Sequence, residues 1–214
     1  MKYNIIGTGS KGNAVILNDE IMIDCGVAIK SLREYIPALK LVLLTHEHGD
    51  HARPATIRAI ARERPGVRWV CGEWLVSKLI DCGVSPRQID VMLPGKRYNY
   101  GIIGLDPFKL THNVPNIGYK LTVGGERIFY ATDTSNLDGI TAKDYDMYFI
   151  EANYMEGEIH ERIANKEIEG IYAYEREAMH NHLSREKADE WLAGNVGSNS
   201  KYIYMHSHNN IEWV

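Results

Sequence analysis

The sequence predicts a mixed α/β protein, written α/β (α+β), in one layered domain of two β-sheets packed face to face and covered by helices. Three observations carry this. Short apolar or alternating runs fall into two groups, helical patterns lie between and after them, and no linker-like stretch divides residues 1–214. At this length one core can bury roughly 70% of the surface the unfolded chain exposes, so neither a disulfide nor a partner is needed for stability.

Taken in order, residues 2–6, 13–17 and 21–24 read as strands separated by Gly-rich and Asn-Asp turns. Residues 28–39 carry Ile29, Leu32, Tyr35 and Ile36 at helical spacing, and 41–44 form a continuous apolar strand ending in Thr45-His46. A helix over 55–64 stops at Pro65-Gly66, a strand covers 67–71, and a helix over 73–82 stops at Gly83. Strands are then expected at 89–93, 98–105 and 117–123, the last turning through Gly124-Gly125 into 127–131. A buried strand at 147–151, a polar irregular or helical stretch to His180, a helix from a Ser184 cap to about Ala193, and a strand at 202–206 complete the chain.

The composition, 44% hydrophobic and 24% charged with a net charge of −4, is that of a globular protein. Cys25, Cys71 and Cys82 lack C-x-x-C spacing and read as reduced, buried thiols, which argues against a secreted, disulfide-stapled fold. No signal-peptide pattern and no run near 20 apolar residues is present, so the expected location is the cytoplasm. The mild acidity argues against a generic nucleic-acid coat, yet the charge is uneven. Five arginines face one acid over Arg53 to Arg68, and eleven acids face five Lys or Arg over Glu151 to Glu190.

Gly7-Thr8-Gly9-Ser10-Lys11-Gly12 matches G-x-G-x-x-G, but the dinucleotide-binding use of that motif needs a helix opening at the third glycine. Here Asn13-Ala14-Val15-Ile16-Leu17 reads as a strand, so the glycines make a sharp strand-to-strand turn. Thr45-His46-Glu47-His48-Gly49-Asp50-His51 is the strong signal, with three histidines and an aspartate within six residues after an apolar strand. In an extended segment His46 and His48 project to one side, and Gly49 lets the chain turn toward Asp50 and His51. Imidazole and carboxylate donors suit zinc, iron or manganese. One short loop cannot complete two coordination shells, so further ligands are expected downstream. His112, Asp133 and His206, each at a strand end or in a loop, are the candidates.

With H-x-H-x-D-H, a later His, an Asp and a final His in order, the chain resembles the metallo-β-lactamase-fold hydrolases over nearly its whole length. Within them it most resembles the WalJ (YycJ-like) exonuclease branch, through Gly9-Ser10-Lys11-Gly12-Asn13, Ile23-Asp24-Cys25-Gly26, Gly118-Tyr119, Glu151-Ala152-Asn153-Tyr154 and His182-Leu183-Ser184. The resemblance implies a four-layer αββα sandwich and two divalent ions, zinc or manganese. His46, His48 and His112 would hold one ion, Asp50, His51 and His206 the other, and Asp133 would bridge them. It further implies a metal-bridged hydroxide as nucleophile, Asp50 in a catalytic as well as a ligand role, and a Glu151–His182 pair that protonates a leaving alkoxide or grips the scissile phosphate. Ser10, Lys11, Asn13, Arg53, Arg58 and Asn209 are candidate substrate contacts. After the last ligand, His206-Ser207-His208-Asn209-Asn210 is two residues shorter than the branch's usual H-L-S-x-x-N-N.

The fold alone does not give the substrate. The Asp133, Glu151 and His182 arrangement and the basic segment after the metal loop favour nucleic acid as substrate, DNA ahead of RNA, with no membrane partner. The inserted arm of ribonuclease Z has no obvious room here. The alternatives are a phosphodiesterase acting on cyclic or nucleotide-like small molecules and a non-catalytic, metal-stabilised binding module.

Overall fold

The computed structural model describes residues 1–207. The chain divides into two compact units, one of residues 1–96 and 114–117, the other of residues 97–113 and 118 onward.

The first unit is built on a six-stranded sheet whose strands lie side by side in chain order: β1 (Tyr3–Gly7), β2 (Ala14–Leu17), β3 (Ile21–Ile23), β4 (Leu41–Leu43), β5 (Arg68–Cys71) and β6 (Ile89–Val91). β1 to β3 are antiparallel, and β3 to β6 run parallel. Parallel strands need long crossovers, here supplied by residues 24–40, by α1 (Pro54–Glu63) and by α2 (Val76–Asp81). The helix expected over 28–39 is instead a 3₁₀ turn at Ile29–Ser31 followed by further turns. Pro37 has no N–H to donate to the preceding turn, so the ladder is interrupted there, although Leu39 N–H still reaches the Tyr35 carbonyl at 3.1 Å. The segment's apolar positions are nevertheless used, since Leu32, Ile36 and Leu39 enter the core around Trp69 and Val42 with Ile57 and Ile60 of α1.

The Gly-rich segment is a turn, as expected. Gly12 N–H donates to the Gly9 carbonyl, the Asn13 side chain accepts from Gly9 N–H at 2.8 Å, and β2 follows at once with no helix. Gly26 has a steric role. A Cβ there would sit 1.7 Å from the Asp50 carbonyl oxygen, so only glycine lets the segment after β3 pass beneath the loop that follows β4. Gly26→Ala is expected to cost more than the about 1–3 kcal/mol of ordinary overpacking, a drop in Tm on the order of 5–10 °C at this size. Thermal denaturation would check this, and an unchanged Tm would contradict the close approach.

The second unit holds the other six-stranded sheet, ordered β12-β11-β10-β9-β8-β7, with β7 (Tyr98–Tyr100), β8 (Ile103–Leu110), β9 (Asn116–Val123), β10 (Glu126–Ala131), β11 (Met147–Glu151) and β12 (Lys201–Met205). The single strand expected over 98–105 is a hairpin, because Gly101 at φ 63° reverses the chain. The apolar Ile102 at its tip is 80% exposed, which disguised the turn in the sequence. Gly124 and Gly125, both at positive φ, close the β9–β10 hairpin as expected. β10, β11 and β12 are parallel, so three strand carboxyl ends lie side by side.

Between β11 and β12 come α3 (Glu156–Ile168), α4 (Glu175–Asn181) and α5 (Arg185–Ala193). The polar stretch to His180 is thus largely helical, with Lys166 of α3 bridging to Glu175 of α4 at 2.7 Å. Ser184 caps α5, its hydroxyl accepting from Lys187 N–H. Phe129 stacks on Phe108 and Trp191 at 5.2 and 4.6 Å, fixing α5 against the sheet.

All three cysteines are free and buried. Burial pushes the Cys71 thiol up to about 12 and Cys25 higher still, which makes them inert packing residues. Among the described residues, no helix is long and apolar enough to cross a membrane.

Candidate functional site

In the first unit, the apolar run of β4 ends in Leu44, and Thr45 and His46 follow in the buried interior. Asp24, fully buried at φ 58°, organises the loop. Its carboxylate accepts Thr45 N–H at 2.9 Å, the Thr45 hydroxyl at 3.0 Å and His51 Nδ1–H at 2.7 Å. The Thr45 hydroxyl spends its only proton on Asp24, so its oxygen accepts from His46 Nδ1, 3.0 Å away. Both histidines therefore carry their proton on Nδ1 and present the lone pair of Nε2. That tautomer is the one a metal-binding imidazole needs, and a carboxylate or hydroxyl behind the ring is the usual way to fix it.

The donor geometry also fits. His46 Nε2 and His48 Nδ1 are 3.1 Å apart, against about 3.3 Å for two nitrogens bound tetrahedrally to one zinc. His51 Nε2 lies 3.8 Å from Asp50 Oδ2. Asn13, expected as a substrate contact, is fully buried: its amide nitrogen donates to the Gly9 and Asp50 carbonyls and lies 2.8 Å from His51 Nε2, the side of the ring opposite Asp24, so it braces the glycine turn against the loop. Ser10 and Lys11 are exposed on the glycine turn.

The second unit gathers its functional side chains at the carboxyl ends of the parallel strands, where open sheets place ligands. Asp133 follows β10, Glu151 ends β11 and His206 follows β12, all nearly or fully buried. Asp133 and His206 take left-handed backbone conformations, φ 57° and 56°, a strain that persists only where the surroundings enforce it. His182 follows α4, and its Nδ1 lies 2.6 Å from Glu151 Oε1 and 3.6 Å from Asp133 Oδ1. Glu151 Oε2 accepts Thr134 N–H at 2.7 Å and Leu183 N–H at 3.3 Å, which pins the carboxylate. The His182 ring stacks on His206 with centroids 5.0 Å apart, and His206 Nε2 is 3.5 Å from Asp133 Oδ1. One donor atom from each of Asp133, Glu151, His182 and His206 falls within 4.8 Å of the others, a set that could hold a divalent cation. His112, past the end of β8, lies 3.1 Å through Nδ1 from the Asn181 carbonyl, with its ring 5.5 Å from that of His182.

The sequence-derived set is thus found in two clusters: His46, His48, Asp50 and His51 in the first unit, and His112, Asp133, Glu151, His182 and His206 in the second. Arg53 and Arg58 are exposed at and along α1. The basic face is narrower than the sequence suggested, because Arg68 pairs with Asp90 and Arg64 donates to the Leu39 carbonyl. Asn209 lies outside the described residues, as does His208. Sequence reasoning gave no role to Asp24, Thr45 or Asn153. The Asn153 side chain lies 2.8 Å from His206 Nδ1 and 3.0 Å from its carbonyl. Thr45 and Asp24 belong to the two motifs at residues 45–51 and 23–26, but their partnership spans 21 residues and leaves no local pattern.

A family model described as beta-lactamase superfamily domain matches residues 20–206. No curated protein matches the chain by sequence. Among solved structures, the chain is similar to the metallo-beta-lactamase fold protein YhfI from Bacillus subtilis, at 17% identity over 98% of this chain and 87% of that one, with a TM-score of 0.73. It is also similar to human tRNase Z, short form, at 15% identity over 97% and 93% of the two chains and a TM-score of 0.70. A diphosphatase from the PhnP family is 13% identical over 96% and 85%, with a TM-score of 0.64. At these identities the likeness is one of fold, and it agrees with the α/β class expected from the strand and helix pattern.

Proposed function

The chain belongs to the beta-lactamase superfamily domain family, and from that premise we propose that it is a metal-dependent phosphodiesterase hydrolysing nucleic-acid phosphodiester bonds, related in action to the WalJ exonucleases. The observation that carries this reading is the Glu151–His182 pair beside Asp133, its carboxylate fully buried.

Two divalent ions, zinc or manganese, would be held by His46, His48 and His112, by Asp50, His51 and His206, and by Asp133 as the shared ligand, and would supply phosphate charge neutralisation and water activation. The chain's own groups account for the rest. Asp24 and Thr45 hold the protons of His51 and His46 on Nδ1, which makes Nε2 the donor atom of each ring. Asp50 is the proposed acceptor of a proton from the attacking water. Glu151, fixed by two backbone N–H groups, holds the Nδ1 proton of His182 and favours the imidazolium form. His182 Nε2 then donates its proton to the departing oxygen, the step that a poor alkoxide leaving group requires. His182 is 17% exposed where Glu151 is fully buried, so the proton donor faces outward and its anchor inward.

Likeness to a tRNase Z and to a diphosphatase supports a phosphoester class of substrate. The second of these also favours the other reading, a small phosphodiester substrate at the same residues. A cytoplasmic location is proposed with the function, supported by three unpaired cysteines.

The test is digestion of end-labelled single- and double-stranded DNA and RNA in manganese or zinc, with chelator and Asp133→Ala controls. Stepwise, chelator-sensitive shortening that Asp133→Ala abolishes is the expected result. Failure to cut any polymer, with turnover of a cyclic or nucleotide-like phosphodiester, would move the assignment to the small-substrate reading.

A further inference from the structure

Resting on the phosphodiesterase reading, we propose that Lys78 and Arg58, continued by Arg62, form a cationic strip that starts at the histidine loop and grips the phosphate backbone of a nucleic-acid strand flanking the scissile bond.

Lys78 on α2 is half-buried, and its ammonium donates to the main-chain carbonyl of Glu47, the residue between His46 and His48. Its charge is therefore held at the metal-binding loop by a neutral partner. One turn further along α2 lies Cys82, whose sulfur is 3.9 Å from Arg58 Nη1 of α1. Burial raises the Cys82 thiol while Arg58 and Lys78 both oppose the shift, so both cations lie near this one side chain. Arg62 follows Arg58 by four residues, so both guanidinium groups share a face of α1. The strip thus runs from Glu47 through Lys78 and Arg58 to Arg62, all within the first unit.

The state of each cation decides what the strip can bind. Arg64 and Arg68 are occupied by Leu39 and Asp90, and Arg62 lies 3.7 Å from Glu63 at its far end. Among the described residues, neither Lys78 nor Arg58 is paired with a carboxylate. A cation parked on a carbonyl or a thiol gives up little on meeting a phosphate, whereas one in an ion pair must break it first. Arg58 offers a planar fork and Lys78 a compact charge, and both suit phosphate oxygens. A linear array of such charges beside a hydrolytic centre fits a polyanionic strand. A small phosphodiester has no second phosphate for it to hold.

The experiment compares wild-type protein with Lys78→Gln, Lys78→Arg and Arg58→Gln on a labelled 20-mer oligonucleotide and on bis(4-nitrophenyl) phosphate. Binding of a non-hydrolysable phosphorothioate 20-mer is followed in parallel by anisotropy across a salt series. For Lys78→Gln and Arg58→Gln the expected result is a KM for the 20-mer raised about tenfold, the loss of one good charged contact, with kcat retained. The dependence of log affinity on log salt should become shallower by about 0.7–0.9 for each cation removed, and Lys78→Arg should restore both. An equal loss on the two substrates would reduce Lys78 to a brace for the Glu47 carbonyl and overturn the proposal, as would an unchanged salt slope. If wild-type protein turns over neither substrate, the phosphodiesterase reading fails, and anisotropy still decides the strip: salt-sensitive binding weakened by Lys78→Gln supports it, and no binding at low salt refutes it.

Discussion

Replacing His182 by alanine is expected to lower kcat on a polymeric phosphodiester by about 10²–10⁴, the contribution of a positioned general acid, while leaving the bound metal in place. Two features of the second unit lead there. His182 Nδ1 is committed to Glu151 at 2.6 Å, and Glu151 is held in turn by Thr134 and Leu183 backbone N–H groups. A ring anchored on that side works through Nε2, and its more exposed position suits a group that meets substrate. The leaving group supplies the sharper comparison. A 4-nitrophenolate departs without help, so the defect of His182→Ala should shrink markedly on bis(4-nitrophenyl) phosphate, whereas loss of a metal ligand would damage both reactions. Metal content by elemental analysis completes the test, because the donors of Asp133, Glu151, His182 and His206 lie within 4.8 Å of one another. Loss of an ion in His182→Ala would make His182 a ligand and remove the general-acid assignment. Glu151→Gln should share the phenotype in milder form, since an amide keeps the shape but cannot stabilise the imidazolium.

Much of this was legible in the sequence because its determinants are local. His46, His48, Asp50 and His51 lie in six residues after an apolar strand, and the Gly124-Gly125 hairpin and the Ser184 cap are short-range signals of the same kind. The strand ends carrying Asp133, Glu151 and His206 follow from three apolar runs that pair in parallel. Where reading failed, either a local rule was overridden or the determinant was distant. Pro37 broke a helix whose apolar spacing was otherwise sound, and Gly101 turned a hairpin whose tip, Ile102, is apolar and exposed. The supports behind the site were hidden for the second reason. Asp24 meets His51 across 27 residues, and Asn153 meets His206 across 53. Such partners are chosen by the assembled sheet, and a linear pattern carries no trace of them.

Asp24 is the support whose loss should cost most. Asp24→Ala removes the acceptor of the Thr45 N–H, the Thr45 hydroxyl and His51 Nδ1 together, in a site where Asp24 and the His51 side chain are fully buried. Leaving a buried donor without an acceptor costs about 1–3 kcal/mol, and here three lose theirs at once, which at this size lowers Tm on the order of 10 °C. The damage extends to the ligands. Without Asp24 the Thr45 hydroxyl can turn its proton toward His46, and the His51 ring is free to take the other tautomer, so metal affinity should fall about 10–100-fold. Asp24→Asn separates charge from shape. Its amide nitrogen would face groups that are themselves donors, so it should rescue little of either loss, and the left-handed backbone at φ 58° is one that asparagine tolerates well. Thermal melts with and without chelator, together with competition against a metallochromic dye, measure the two effects separately. If Asp24→Asn matched the wild type in both, the hydrogen-bond network behind His46 and His51 would not be what fixes their tautomers.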